Sequence, residues 1–297
     1  MRIGFVGLGR MGSAMAARLL AVGGDLKVWN RSLGRTEPLQ KQGADVARDL
    51  RDFADREVVF TMLSDDAALR AVVLGDPGLL AILQEGAIHV SCSTITVALS
   101  EELGQRHRER RQEYLALPVF GRPEAAAAGK LVLVVGGKLA LLDRLRPLLA
   151  PLGQQLFHVG ERPEQANLVK LSGNFLLATV IESLGESMAL VEKGGIDRHA
   201  YLELLTSTLF SAPVYRTYGG LIANRSVRPA AFLATLGQKD LRLAMEAADA
   251  LRVPMPFAGP LRDRFLALAA RGETDVDWAA IGIEAAREAG LDPAKPE

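Results

Sequence analysis

The first dozen residues constrain this chain more than any other segment. Arg2-Ile3-Gly4-Phe5-Val6 reads as a short buried strand, Gly7-Leu8-Gly9-Arg10-Met11-Gly12 follows without a break, and the Ala- and Leu-rich run from Ser13 to Val22 reads as a helix. Strand, glycine turn and helix in immediate succession give the spacing G-x-G-x-x-G the context it needs. The first glycine permits a tight turn, the second lets an anionic ligand approach the backbone, and the third lets helix and strand pack closely. The N–H groups at the helix start, with the helix dipole behind them, face that anion. A dinucleotide pyrophosphate over Gly7, Gly9 and Gly12 is the expected ligand.

The next strand, Leu26-Lys27-Val28-Trp29-Asn30, ends where a ribose-reading residue belongs. A cofactor with a free 2′-hydroxyl usually meets Asp or Glu there. This chain offers Asn30-Arg31-Ser32 instead. Asn30 does not repel a 2′-phosphate, Arg31 can pair with one, and Ser32 can donate a hydrogen bond to it. Ser32 also suits a helix N-cap, and the two roles are compatible. The reading predicts NADP(H) rather than NAD(H).

A chain of 297 residues is comfortable for two domains. Its 35 basic and 35 acidic residues balance, so no global field points to nucleic acid or an anionic membrane. Cys92 stands alone, which rules out an internal disulfide, and His89, His107, His158 and His199 show no close ligand spacing, so no metal is expected. With neither a signal peptide nor a run of about twenty apolar residues, the expectation is a soluble, cytoplasmic protein. Short apolar strands alternate with helices up to Leu156-Phe157-His158-Val159, the pattern of an α/β fold with a doubly wound, largely parallel sheet. Beyond Pro163 helical periodicity takes over. One helix should run from Glu164 to Lys193, ended by Gly194-Gly195, with others over Arg198–Thr208, Pro229–Ala250, Gly259–Arg271 and Asp277–Ala289. The expected domains are 1–162, which binds the cofactor, and an all-helical 163–297.

Three segments carry candidate chemistry. Ser93 and Thr94 follow a predicted strand, at the end where open α/β sheets bind ligands; the alternative is a helix N-cap. Pro118-Val119-Phe120-Gly121-Arg122-Pro123 reads as a rigid turn beyond the next strand, either walling a pocket or forming a plain loop. In Asn167–Asn174, Lys170 and Asn174 are i and i+4 and share a helix face. Leu168, Val169, Leu171, Phe175, Leu176 and Leu177 surround them, and a helix apolar nearly all round is a buried one. A desolvated lysine has a depressed pKa and can exchange a proton near neutral pH. Gln238-Lys239-Asp240-Leu241 adds a second helical lysine, either lining a cleft or lying on the surface.

Gly7–Gly12, Asn30-Arg31-Ser32, Ser93-Thr94, the Pro118–Leu131 segment, Lys170 with Asn174, and Lys239-Asp240 occur in that order. Together they resemble the β-hydroxyacid dehydrogenases, the 3-hydroxyisobutyrate dehydrogenase and tartronate semialdehyde reductase family, over essentially the whole chain. The resemblance implies an N-terminal Rossmann domain, a helical C-terminal domain, a nicotinamide held between them, and a homodimer or homotetramer. It also implies that Lys170 is the general acid/base, that Asn174 and Ser93 or Thr94 orient a small-molecule substrate, and that Lys239 lies near the cofactor or the cleft. The expected cofactor site comprises Gly7, Leu8, Gly9, Arg10, Met11, Gly12, Asn30, Arg31, Ser32, Leu63, Thr94 and Lys239; Ser93, Phe120, Gly121 and Arg122 are the expected substrate contacts. One departure stands out. The family usually has Ser-Gly-Gly after Pro-Val, to hold a substrate carboxylate, where this chain has Phe120, Gly121 and Arg122. Phe120 makes that wall apolar, and Arg122 either replaces the carboxylate clamp or points to solvent. The implied activity is the NADP(H)-dependent interconversion of a small carbonyl compound, a semialdehyde or keto acid, with its hydroxy form. An imine reductase or reductive aminase is the alternative, suited by Phe120 and opposed by Lys170. A non-catalytic cofactor-binding protein on the same fold is a third reading.

Overall fold

Strands covered by helices on both sides read as unbroken apolar runs, because neither face meets water. The protein is described here by a computed structural model covering residues 1–291. Its strands are β1 (Arg2–Val6), β2 (Asp25–Trp29), β3 (Asp45–Val46), β4 (Val58–Thr61), β5 (Ile88–Ser91), β6 (Glu113–Ala116), β7 (Val119–Phe120), β8 (Leu131–Gly136) and β9 (Gly153–Gly160). All of β4 and β5, and all of β1 after Arg2, is buried. Interleaved with the strands are α1 (Arg10–Ala21), α2 (Glu37–Gln40), α3 (Asp66–Leu74), α4 (Leu79–Ile82), α5 (Val97–Glu109), α6 (Pro123–Ala127) and α7 (Leu139–Leu149).

The sheet runs β3-β2-β1-β4-β5-β6-β8-β7, with β9 also paired to β8. The pairs from β3 across to β6 are parallel. The chain turns to one side after β1 and returns to the other with β4, so the end of β1 opens at a topological switch point, where such sheets bind ligands. This is the expected doubly wound α/β architecture, with one correction. Val119 and Phe120, expected in a turn, form β7 and pair antiparallel with Leu133 and Val132 of β8. Two residues are too few to register as a period, yet a β-branched and an aromatic residue suit a half-buried edge. Successive strand residues alternate between two cores. Phe5, Val28, Phe60 and Val90 pack on one side of the sheet, and Val6, Val59 and Tyr114 on the other.

The helices that follow are α8 (Glu164–Lys193), α9 (Arg198–Ser207), α10 (Pro213–Ala223), α11 (Ala234–Leu251), α12 (Ala258–Ala270) and α13 (Glu284–Glu288), the last preceded by a 3₁₀ segment, Trp278–Ile283. The chain divides into two compact units, one ending at Lys170 and the other beginning at Leu171, so the division falls within α8. The sequence pattern missed α10, and the single closing helix expected over 277–289 is mostly the 3₁₀ turn. Trp278 centres the second core, with Phe232 and Tyr218 edge-on to it at 4.9 and 5.7 Å. By length and composition α8 could cross a bilayer, contrary to the sequence expectation, but Leu171, Ala178, Ile181, Leu184 and Met188 build one face of it into a core. Nor is it buried all round, since Leu176 and Leu190 are 61% and 75% exposed.

His89 of β5 and His107 of α5, which no sequence spacing connects, meet in the first unit. His89 Nδ1 lies 2.9 Å from His107 Nε2. His107 Nδ1 lies 2.8 Å from Gln112 Oε1, and His89 Nε2 lies 2.9 Å from Thr61 Oγ1. The Gln112 amide fixes the polarity, because its Nε2 donates to the carbonyls of Leu80 and Leu83. His107 must then donate to Gln112, His89 to His107, and Thr61 to His89, which requires both rings to be neutral. Burial pushes His107 down to about 4 and His89 well below the ordinary histidine range. The unfolded chain therefore takes up protons near pH 6.5 that the folded chain refuses, so stability is full above that pH and falls below it. Urea unfolding between pH 7 and pH 5 should show a slope of up to about 1.4 kcal/mol per pH unit from each histidine. A variant carrying His89→Gln and His107→Gln should show a flatter slope; an unchanged slope would refute this assignment.

Candidate active site

The glycine turn is shaped as the sequence requires. Gly7 has φ +97°, and a Cβ there would run into the Met62 carbonyl. A Cβ on Gly12 would strike the Gly7 carbonyl oxygen, so strand end and helix start touch backbone to backbone. At Gly9, the N-cap of α1, an added Cβ would meet nothing within 4 Å. That space is the cradle through which a phosphate reaches the first amides of α1, which have no intrahelical acceptor. α1 carries neither a side-chain cap nor an acidic residue in its first turn. These residues fit a dinucleotide pyrophosphate.

Asn30 ties this loop to the next turn. Its Oδ1 accepts the Leu8 N–H at 2.9 Å, and its Nδ2 donates to the Ser32 carbonyl at 3.0 Å. Arg31 and Ser32 are exposed beside it. Ser32 occupies the N-cap position of a 3₁₀ turn, Leu33–Arg35, without a side-chain capping bond. Arg35, absent from the sequence-derived site, directs its guanidinium back to the Leu8 carbonyl at 3.5 Å. Its position four residues after Arg31 was the available signal. Two guanidiniums therefore belong to the turn that follows β2.

Ser93 is fully buried, and its Oγ accepts the Leu63 N–H at 2.8 Å, joining the loops beyond β4 and β5. It keeps its hydroxyl proton as a donor. Neither Ser93 nor Thr94 caps the following helix; Thr96 does, accepting the Leu99 N–H at 3.1 Å. Phe120 closes β7, Gly121 turns the chain with φ +135°, and the half-buried Arg122 stands at the N-cap position of α6.

Lys170 is buried, as its apolar neighbours predicted, and its Nζ sits 4.2 Å from the centroid of the Phe120 ring. One turn along α8, Asn174 is also buried and gives its Nδ2 to Asp240 Oδ2. The amide orientation follows: Nδ2 is the donor toward Asp240, and Oδ1 is the acceptor end. The other Asp240 oxygen is 3.0 Å from Lys239 Nζ. Lys239 is therefore not a surface lysine; its side chain is mostly buried and lines a groove of about 640 Å³ along α11 with Gln238, Arg242 and Met245. Asp240, which follows Lys239 in the sequence motif, is the residue that sequence reasoning misses; it is buried between Asn174 and Lys239. Among the described residues no cluster of three or more His, Cys, Asp or Glu side chains is arranged to hold a metal.

Over nearly its whole length the chain is similar to known proteins. Residues 2–160 match the NAD-binding domain of 6-phosphogluconate dehydrogenase, and residues 165–283 match the NAD-binding domain of NADP-dependent 3-hydroxyisobutyrate dehydrogenase. YfjR of Bacillus subtilis, an uncharacterised oxidoreductase, is 41% identical over 95% of this chain and 98% of its own length. Glyoxylate/succinic semialdehyde reductase 1 of Arabidopsis thaliana is 30% identical over 97% and 99%. The structure of Mycobacterium tuberculosis 3-hydroxyisobutyrate dehydrogenase with L-serine superposes with a TM-score of 0.85, covering 94% of this chain and 97% of that one at 27% identity. The imine reductase of Myxococcus stipitatus, at 20% identity and a TM-score of 0.66, shares the fold. A pyridine-nucleotide cradle, a helix bearing Lys170 and Asn174, and two matched domains over nearly the full length converge: the chain belongs to the β-hydroxyacid dehydrogenase family of oxidoreductases.

Proposed function

We propose that the protein is an NADP(H)-dependent enzyme that interconverts a small carbonyl compound, a semialdehyde or keto acid, with its hydroxy form, and that Lys170 is its general acid/base. The observation that carries this reading is the buried Lys170, one helical turn before an Asn174 whose amide Asp240 orients. Bound at the glycine turn, the nicotinamide nucleotide supplies or accepts the hydride. In reduction the Lys170 ammonium gives a proton to the substrate oxygen; in oxidation the amine takes it back. Asn174 accepts from the ammonium or from the substrate hydroxyl and so fixes their approach, while Ser93 holds the loop carrying Leu63 and offers its hydroxyl proton to the substrate. Residues 1–162 form the cofactor domain, and 163–297 the substrate and oligomerisation domain, of a cytoplasmic homo-oligomer. The small-semialdehyde assignment draws on the Arabidopsis reductase. Phe120 is the one feature favouring imine reduction, and assaying a cyclic imine beside succinic semialdehyde separates the two.

NADP(H) preference rests on Asn30 in place of an acid and on Arg31, Ser32 and Arg35 in the adjoining turn. Charge-assisted hydrogen bonds are worth about 1.5–3 kcal/mol. Arg31→Ala and Arg35→Ala should therefore each weaken NADPH binding by roughly ten- to a hundredfold, as measured by fluorescence titration, and leave NADH binding nearly unchanged. Equal losses for both nucleotides would reject the 2′-phosphate role. Lys170→Met should lower kcat for succinic semialdehyde by about 10²–10⁴ while retaining NADPH affinity. Turnover at the parental rate would reject Lys170 as the proton donor.

A further inference from the structure

The ring beneath Lys170 has a role that the change from serine to phenylalanine does not by itself disclose. The Lys170 Nζ is 4.2 Å from the Phe120 centroid, well inside the roughly 6 Å within which an aromatic face attracts a cation. The backbone that carries the ring is held on both sides. Phe120 pairs with Val132 of β8, and the φ +135° turn at Gly121 follows at once. A Cβ at Gly121 would strike the Leu131 side chain, so the turn has no room for another residue. Pro118 and Pro123 bracket the segment.

We propose that Phe120 is a positioning residue for Lys170, its π face holding the side chain in place and favouring the ammonium form. This rests on the reading of Lys170 as the proton donor. A buried ammonium needs compensation for lost water, and its four-carbon stem has many rotamers to lose. An aromatic face supplies electrostatic attraction without an acceptor lone pair. It therefore stabilises the charged state and the side-chain direction without competing for the proton that must leave. The same ring carries no group for a substrate carboxylate, so one residue trades an anion contact for control of the lysine.

The test reads Lys170 directly. Only the amine form reacts with acetic anhydride, so the pH dependence of acetylation at the Lys170 peptide, followed by mass spectrometry on the full-length protein, gives its titration midpoint. In Phe120→Leu the midpoint should fall by about one pH unit, whereas Phe120→Tyr, which keeps the ring, should retain the parental midpoint. With NADPH and succinic semialdehyde, the high-pH limb of kcat/KM should move in the same direction in the leucine variant, with NADPH affinity unchanged. Thermal midpoints and Phe120→Met serve as checks on folding. A Leu midpoint equal to the parental one, or a Tyr midpoint that follows Leu, would overturn the proposal. Lys170→Met separates the two readings: if it destroys turnover while Phe120→Leu shifts nothing, only the role of Phe120 is wrong.

Discussion

A lysine withdrawn from water sets the terms for this site. An isolated ammonium in an apolar interior is so costly that its surroundings must supply charge, dipoles or polarisable surface, or else the group gives up its proton. Here α8 commits Lys170 to burial, because Ala166 and Leu171 beside it are core residues. What faces its nitrogen therefore decides what the lysine can do. One face presented to it is an aromatic ring, set on a two-residue strand that pairs with β8.

The polar partners of α8 follow a similar logic at Asn174. A carboxylate buried to the extent of Asp240 requires compensation: the Asn174 amide donates to one oxygen, and the Lys239 ammonium sets its charge beside the other. Each partner is fixed by the exchange: the amide can turn only one way, and the second lysine is drawn out of solvent. Buried polar groups satisfied in this manner rigidify the elements that carry them. The loops beyond β4 and β5 are joined with comparable economy by one hydroxyl, that of Ser93.

Much of this was legible in the residues. The glycine spacing needed only the strand before it and the helix after it, and Lys170 announced itself by being a charge in an apolar stretch. Phe120 was visible as a departure from the family's usual serine, although not as a strand residue, since two residues carry no periodicity. The histidine pair was invisible because β5 and α5 are brought together by the sheet, not by sequence spacing. Asp240 was hidden because its partner Asn174 lies 66 residues away on another helix. α8 was overestimated in the opposite sense: apolar residues all round it suggested complete burial, yet Leu176 and Leu190 face outward. Composition reports what a surface is made of, not what covers it.

Asn30 was read from sequence as a residue that merely fails to repel a phosphate, and the structure gives it a second duty. Its two amide ends span the glycine turn and the turn after β2, one accepting and the other donating. Installing aspartate at this position would keep the first bond and destroy the second. The new carboxylate would press its lone pairs against the Ser32 carbonyl, and the two turns would repel where they now clasp. Any exchange of this side chain therefore bears on the whole 30–35 corner, since Asn30 is the rivet that keeps the corner closed.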